Sequence, residues 1–153
     1  MKNHITRLAA LAAITLLLAS FALAAPAAPK TSGKDIPPFP GTLRNARFVY
    51  VASYDGDQFD PNLLPEDRQA INTVQDAMQK WGKFTLVYEP GKADIVLLVT
   101  SRPSEDILAV YDGHDFADGQ FLWRVMRRSG LQPGETPLIT DFEKAFEQAA
   151  ARK

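Results

Sequence analysis

The chain has no cysteine, only two histidines, and no excess of basic charge, with 17 Lys and Arg against 18 Asp and Glu. Without cysteine there is no disulfide, no thiolate metal ligand and no acceptor for a lipid behind a signal sequence. Two histidines do not supply the several imidazole or thiolate ligands that zinc usually takes. The clustered positive field that nucleic-acid binding needs is missing from the composition. No serine sits in a G-x-S-x-G elbow, and no glycine-rich loop of the Walker or dinucleotide type occurs.

The first residues, MKNHITRLAALAAITLLLASFALAAPAAPK, place Lys2 and Arg7 ahead of an apolar run that ends in Ala22-Leu23-Ala24. This is the layout of a secretory signal peptide, residues 1–24, cleaved after Ala24. The run is shorter than the roughly 20 residues that span a bilayer, and no basic stop-transfer flank follows it. The expectation is an exported protein, periplasmic or secreted, with no integral membrane segment after processing. Losing Lys2 and Arg7 moves the formal net charge from -1 to -3.

Residues 25–43 read as a Pro/Ala-rich linker, because prolines at 26, 29, 37, 38 and 40 remove amide donors and favour extended backbone. A polyproline ligand for another domain is the other reading of that segment. Residues 44–153 read as a single α/β domain. The processed chain keeps about 129 residues, enough to bury about two-thirds of the unfolded surface.

Within that domain, ARFVYVASY at Ala46–Tyr54 is aromatic and β-branched, and predicts a strand. A helix follows over Pro65–Trp81, with Ile71, Val74, Met78 and Trp81 recurring at helical spacing. Pro65 suits its first turn, Glu66 and Asp67 suit its positive end, and Gly82 stops it. Strands are predicted at Phe84–Tyr88, Ala93–Thr100, Ile107–Tyr111 and Phe121–Met126. A last helix has Thr136 as candidate cap and Leu138, Phe142, Ala145, Phe146 and Ala149 as its buried stripe.

The order β-α-β-β-β-β-α implies an α+β sandwich: a mixed, mostly antiparallel five-stranded sheet with two helices, on one face or one on each. The long crossover lets strands one and two run parallel, and the shorter links that follow favour antiparallel neighbours. On that count strands one, two and four point one way and three and five the other. The segments VYVASYDGDQFDPNLLPEDRQAI, ADIVLLVTSRPSEDILAVYDG and FLWR resemble small exported bacterial proteins of uncharacterised function, over roughly Arg44 to Phe146. In element order the chain is similar to small periplasmic and lipoprotein domains. The resemblance implies the fold and the compartment, and brings no catalytic residue with it.

The chemistry-bearing feature is a repeat: YDGDQF at Tyr54–Phe59 returns as YDGHDF at Tyr111–Phe116. If Asp55 opens a calcium loop of the EF type, Asp57 and Glu66 fall on ligand positions, but Phe59, Asp60 and Pro61 fill the fifth, sixth and seventh places wrongly. The second loop fails likewise at Phe116 and Ala117. A composite site for calcium or magnesium remains open if the loops share one end of the sheet. Its candidate ligands are Asp55, Asp57, Asp112 and Asp115, with Asp60 and Asp118 beside them. Against it stands the ordinary use of Asp and Gly as turn formers.

His114, the one histidine left after processing, could join Asp112 and Asp115 or act as a base, or be an exposed turn residue. Arg102, in the link SRPSED, could grip an anion or pair with Glu105 or Asp106. Its link is expected at the end of the sheet opposite to the two YDG loops. In FLWRVM, Phe121, Trp123 and Val125 are expected in the core. Leu122, Arg124 and Met126 then line a partly open face or edge where a partner could add. The expectations for function are a non-enzymatic module binding a protein or wall polymer in the bacterial envelope, with no cofactor. A divalent-cation-dependent binding protein is the alternative and an envelope hydrolase the lesser one.

Overall fold

A computed structural model describes residues 36–116, 119–132 and 136–152. The signal segment, the first part of the linker and Asp118 lie outside the described residues. Five strands form one sheet: β1 (Phe48–Ser53), β2 (Thr85–Leu86), β3 (Ile95–Ser101), β4 (Asp106–Asp112) and β5 (Trp123–Arg127). Helix α1 (Pro65–Trp81) joins β1 to β2, and α2 (Pro137–Ala151) closes the chain. The predicted element order is the one found. Gly82 ends α1 in the left-handed conformation, with φ 71°, as a stop residue should. Thr136 precedes α2 without a side-chain cap bond; its carbonyl accepts from the Ile139 and Thr140 amides instead.

The strand directions correct the expectation. The sheet order is β2-β1-β3-β4-β5, with β1 parallel to both β2 and β3, and β4 antiparallel to β3 and β5. Thus only β4 runs against the others. The reason is the length of β2, whose two residues pair with Phe48 and Val49. Strand β3 begins at the same level, with Ile95 opposite Val49, so the short link has only to step across β1. A link of this length favours an antiparallel return only when the strand before it is long enough to need one.

Both helices pack on one face. Alternation puts Val49, Val51, Ile95, Leu97, Val99, Leu108, Val110, Trp123 and Val125 on that side, against Ile71, Val74 and Met78 of α1 and Leu138, Phe142 and Phe146 of α2. The centre is aromatic: the Phe142 ring lies within 5.7–6.2 Å of those of Phe39, Trp81, Phe84, Trp123 and Phe146. Each such buried side chain contributes about 1.5–3 kcal/mol.

Phe39 and Leu43 belong to this core, and the Trp123 Nε1–H donates to the Pro37 carbonyl at 2.7 Å. The folded part therefore takes in residues 36–43, which the sequence assigns to the linker. A proline-rich stretch needs no ladder partners, and here its one phenylalanine anchors it. Phe121, expected in the core, precedes β5 and is 48% exposed.

Candidate functional site

The topology separates the two YDG loops. Ser53, at the end of β1, lies level with Val99 of β3 and Leu108 of β4, whereas Asp112 lies level with Ile95 and Val49 at the other end. Asp55, Asp57 and Asp60 are thus at one end of the sheet, and Asp112, His114 and Asp115 at the other. The composite cation site that needed both loops at one end does not form. Among the described residues no cluster of three or more acidic or histidine side chains is arranged to hold a metal.

The first loop is held by its own side chains. Asp57 accepts the Phe59 amide at 2.8 Å and the Tyr50 hydroxyl at 3.2 Å, and Asp60 accepts the Asn62 amide at 2.8 Å. Gly56, at φ 144°, closes a two-way bridge with Ser53, and a Cβ there would meet Asp60 Oδ2 at 2.7 Å. Arg68 donates to the Gln58 and Asp60 carbonyls. In the second loop Asp112 accepts the His114 amide at 3.0 Å. Gly113 passes so close to the Ala93 carbonyl that a Cβ would lie 2.0 Å from its oxygen. Nearby, the Arg47 and Phe48 amides on the Asp94 carboxylate hold its pKa below the usual value. These are the jobs of turn aspartates.

Arg102 lies at the same end as the first loop, because β3 runs parallel to β1, and it does not pair with Glu105 or Asp106. It joins Asp55 at 2.6 Å and both oxygens of Asp67 at 2.8 Å. Asp67, in the first turn of α1, is fully buried and also accepts the Ser101 amide. Ser101 Oγ donates to buried Asp106, whose other oxygen accepts the Leu131 amide. The network ties the β1 loop, α1, the β3–β4 link and the segment after β5 together. No helical spacing marks Asp67 as buried, since its partner is 35 residues away.

The face without helices carries a different surface. Its strand residues are Phe48, Tyr50 and Ala52; Thr85; Val96, Leu98 and Thr100; Ile107, Ala109 and Tyr111; Arg124 and Met126. Tyr54, just beyond β1, and Tyr111, level with Val96, bond hydroxyl to hydroxyl at 2.8 Å. To meet, both side chains must lie along the sheet and across β3. Alanines at 52 and 109 leave room beneath them, and Val96, Leu98 and Ala109 are buried in consequence.

Burial first, then the Tyr54 bond, pushes the Tyr111 hydroxyl up to about 12. Burial, then the charge and bond of Asp57, does the same for Tyr50. Arg124, half-buried beside Ala109, lies 5.7 Å over the Phe121 ring and leaves its Nε without a partner. Around this layer Phe48, Tyr54, Phe121, Leu122 and Met126 are 41–51% exposed. Phe59 and Tyr88 stack edge to face at 6.2 Å and are more exposed still. Period-two alternation in ARFVYVASY and ILAVY marks the tyrosines as sharing one face; their mutual bond depends on the sheet order.

No family model matches the chain, and no curated protein matches it. Among solved structures it is similar to a point variant of the PelC dodecamer from Paraburkholderia phytofirmans, at 16% identity, covering 76% of this chain and 93% of that one. The TM-score is 0.36, and a likeness at that level carries no inference about this chain.

Proposed function

We propose that this chain is an exported envelope protein acting as a non-enzymatic interaction module, and that it meets its partner through the helix-free face of the sheet. One observation carries the reading. Of the large apolar side chains left 41–51% exposed, Phe48, Leu122 and Met126 alternate to the face that neither helix covers, Tyr54 reaches it through the Tyr111 hydroxyl and Phe121 through Arg124. Scattered exposed apolar residues are ordinary, but a contiguous patch of several hundred Å² marks a contact surface. In the acidic loops Asp57, Asp60 and Asp112 each accept a backbone amide of their own turn, and Asp55 pairs with Arg102.

Photo-crosslinking in the cell tests it. A crosslinkable side chain at Tyr54 or Met126 should give adducts, and one at Asn72 or Gln79 on the outer side of α1 should not. Recovery of the uncrosslinked chain alone from both face positions would rule the surface out.

A further inference from the structure

We infer that the partner on the helix-free face is a second copy of this chain, the two sheets packing face to face about a two-fold axis. The inference rests on the interaction reading above and names its occupant. Its first ground is area. Phe48, Tyr54, Phe121, Leu122 and Met126, with Phe59 and Tyr88 at the border, are 41–67% exposed. At roughly 150–250 Å² per large side chain, that is about 500–900 Å² of surface. A standard interface takes about 800 Å² from each partner, of which a homodimer makes about 65% apolar, or about 500 Å². One face of this chain therefore supplies the apolar content of one half of a dimer.

The second ground is charge. Arg124 is the one charged side chain among the strand residues of this face, whereas Asp106, Asp112 and Arg127 alternate to the other side. Besides Arg124 the face carries one loop carboxylate, Asp57, which accepts the Tyr50 hydroxyl, so one cation and one anion are all the charge that a copy would meet there. A two-fold axis along the strands, lying between the two sheets over β3, the middle strand of β2-β1-β3-β4-β5, removes the repulsion between the two Arg124 side chains. It lays β5 of one copy over β2 of the other and β4 over β1. Arg124 of each copy then lies over the β2 edge of the other, four strand spacings or about 19 Å across the sheet from its own mate. The Tyr54–Tyr111 pair crosses β3 near this axis, with the Phe116 ring edge-on to Tyr111 beside it.

Sedimentation equilibrium on the protein expressed from its full coding chain tests the inference. The wild type should move from monomer to dimer over the micromolar range. Leu122→Lys with Met126→Lys should weaken association at least tenfold, and Gln79→Lys should leave it unchanged. Because the paired variant could fail to fold, the Tyr54 crosslinker supplies the second readout: its adduct should have twice the chain's mass and contain this chain alone. A wild type that stays monomeric at high concentration, or a dimer that the paired variant leaves intact, overturns the inference. If the protein is monomeric while Tyr54 crosslinks a different molecule, the second copy is wrong and the interaction face stands.

Discussion

Along β1 the side chains Val49, Val51 and Ser53 point into one layer and Phe48, Tyr50 and Ala52 into another, and the two layers are closed by different means. On the helix side the closing groups are hydrocarbon, supplied by α1, α2 and the Phe39 anchor, and little large apolar surface is left in water. On the other side the covering groups are tyrosines with Val87 and Phe116, and the Tyr50, Tyr54 and Tyr111 hydroxyls pair with each other or with Asp57. A layer closed by hydrocarbon from elsewhere in the chain is finished. One closed by its own rings still shows those rings to solvent. The comparison therefore separates stability from contact within one sheet.

The largest expected effect breaks the finished side. Phe142→Ala removes the ring at the centre of the aromatic cluster and should cost about 3–5 kcal/mol in denaturant unfolding. Next is Asp67→Ala. Breaking a buried pair costs about 3–5 kcal/mol, and Arg102, with a third of its side chain exposed, regains part of that from water. A loss of about 2–3 kcal/mol, with faster proteolysis in the Tyr54–Asp60 loop, is the expected outcome.

The tyrosines sharpen the other side. Tyr50 and Tyr111 keep their protons to about pH 12 in the folded chain against 10.0 ordinarily. Unfolded tyrosines ionise first, so the stabilisation is complete below pH 10 and is lost as pH rises toward 12. Tyrosinate absorbance should show two late-titrating groups, and unfolding free energy should fall across that window. The smallest effect is that of Tyr54→Phe. Deleting one shared hydroxyl bond should cost about 0.5–1.5 kcal/mol and move the Tyr111 titration back toward its ordinary value.

Local features of the fold are legible in the sequence, and long-range ones are not. The α1 boundaries, the element order and the buried stripe of α2 follow from periodicity, proline and glycine, all local signals. Strand direction did not, because β2 is only two residues long and the short link after it was expected to turn back. That error placed both acidic loops at one end and made a cation site look available. The burial of Phe39 leaves no local signal, since proline-rich sequence reads as tether whatever a single aromatic in it touches. The Arg102–Asp67 pair and the Tyr54–Tyr111 bond join residues 35 and 57 positions apart, and no local pattern encodes such meetings.

One face of the sheet holds the fold together, and the other is the one proposed to take a second copy. Urea unfolding of the wild type and of the Leu122→Lys, Met126→Lys variant, each over a hundredfold range of protein concentration, tests it most directly. Stability that depends on association rises with concentration by mass action. The wild-type midpoint should climb, and the variant should keep one midpoint close to the wild type's at the lowest concentration, since exposed substitutions shift stability by about 0.5 kcal/mol or less. A wild-type midpoint independent of concentration would contradict the claim, as would a variant that unfolds well below it at every concentration.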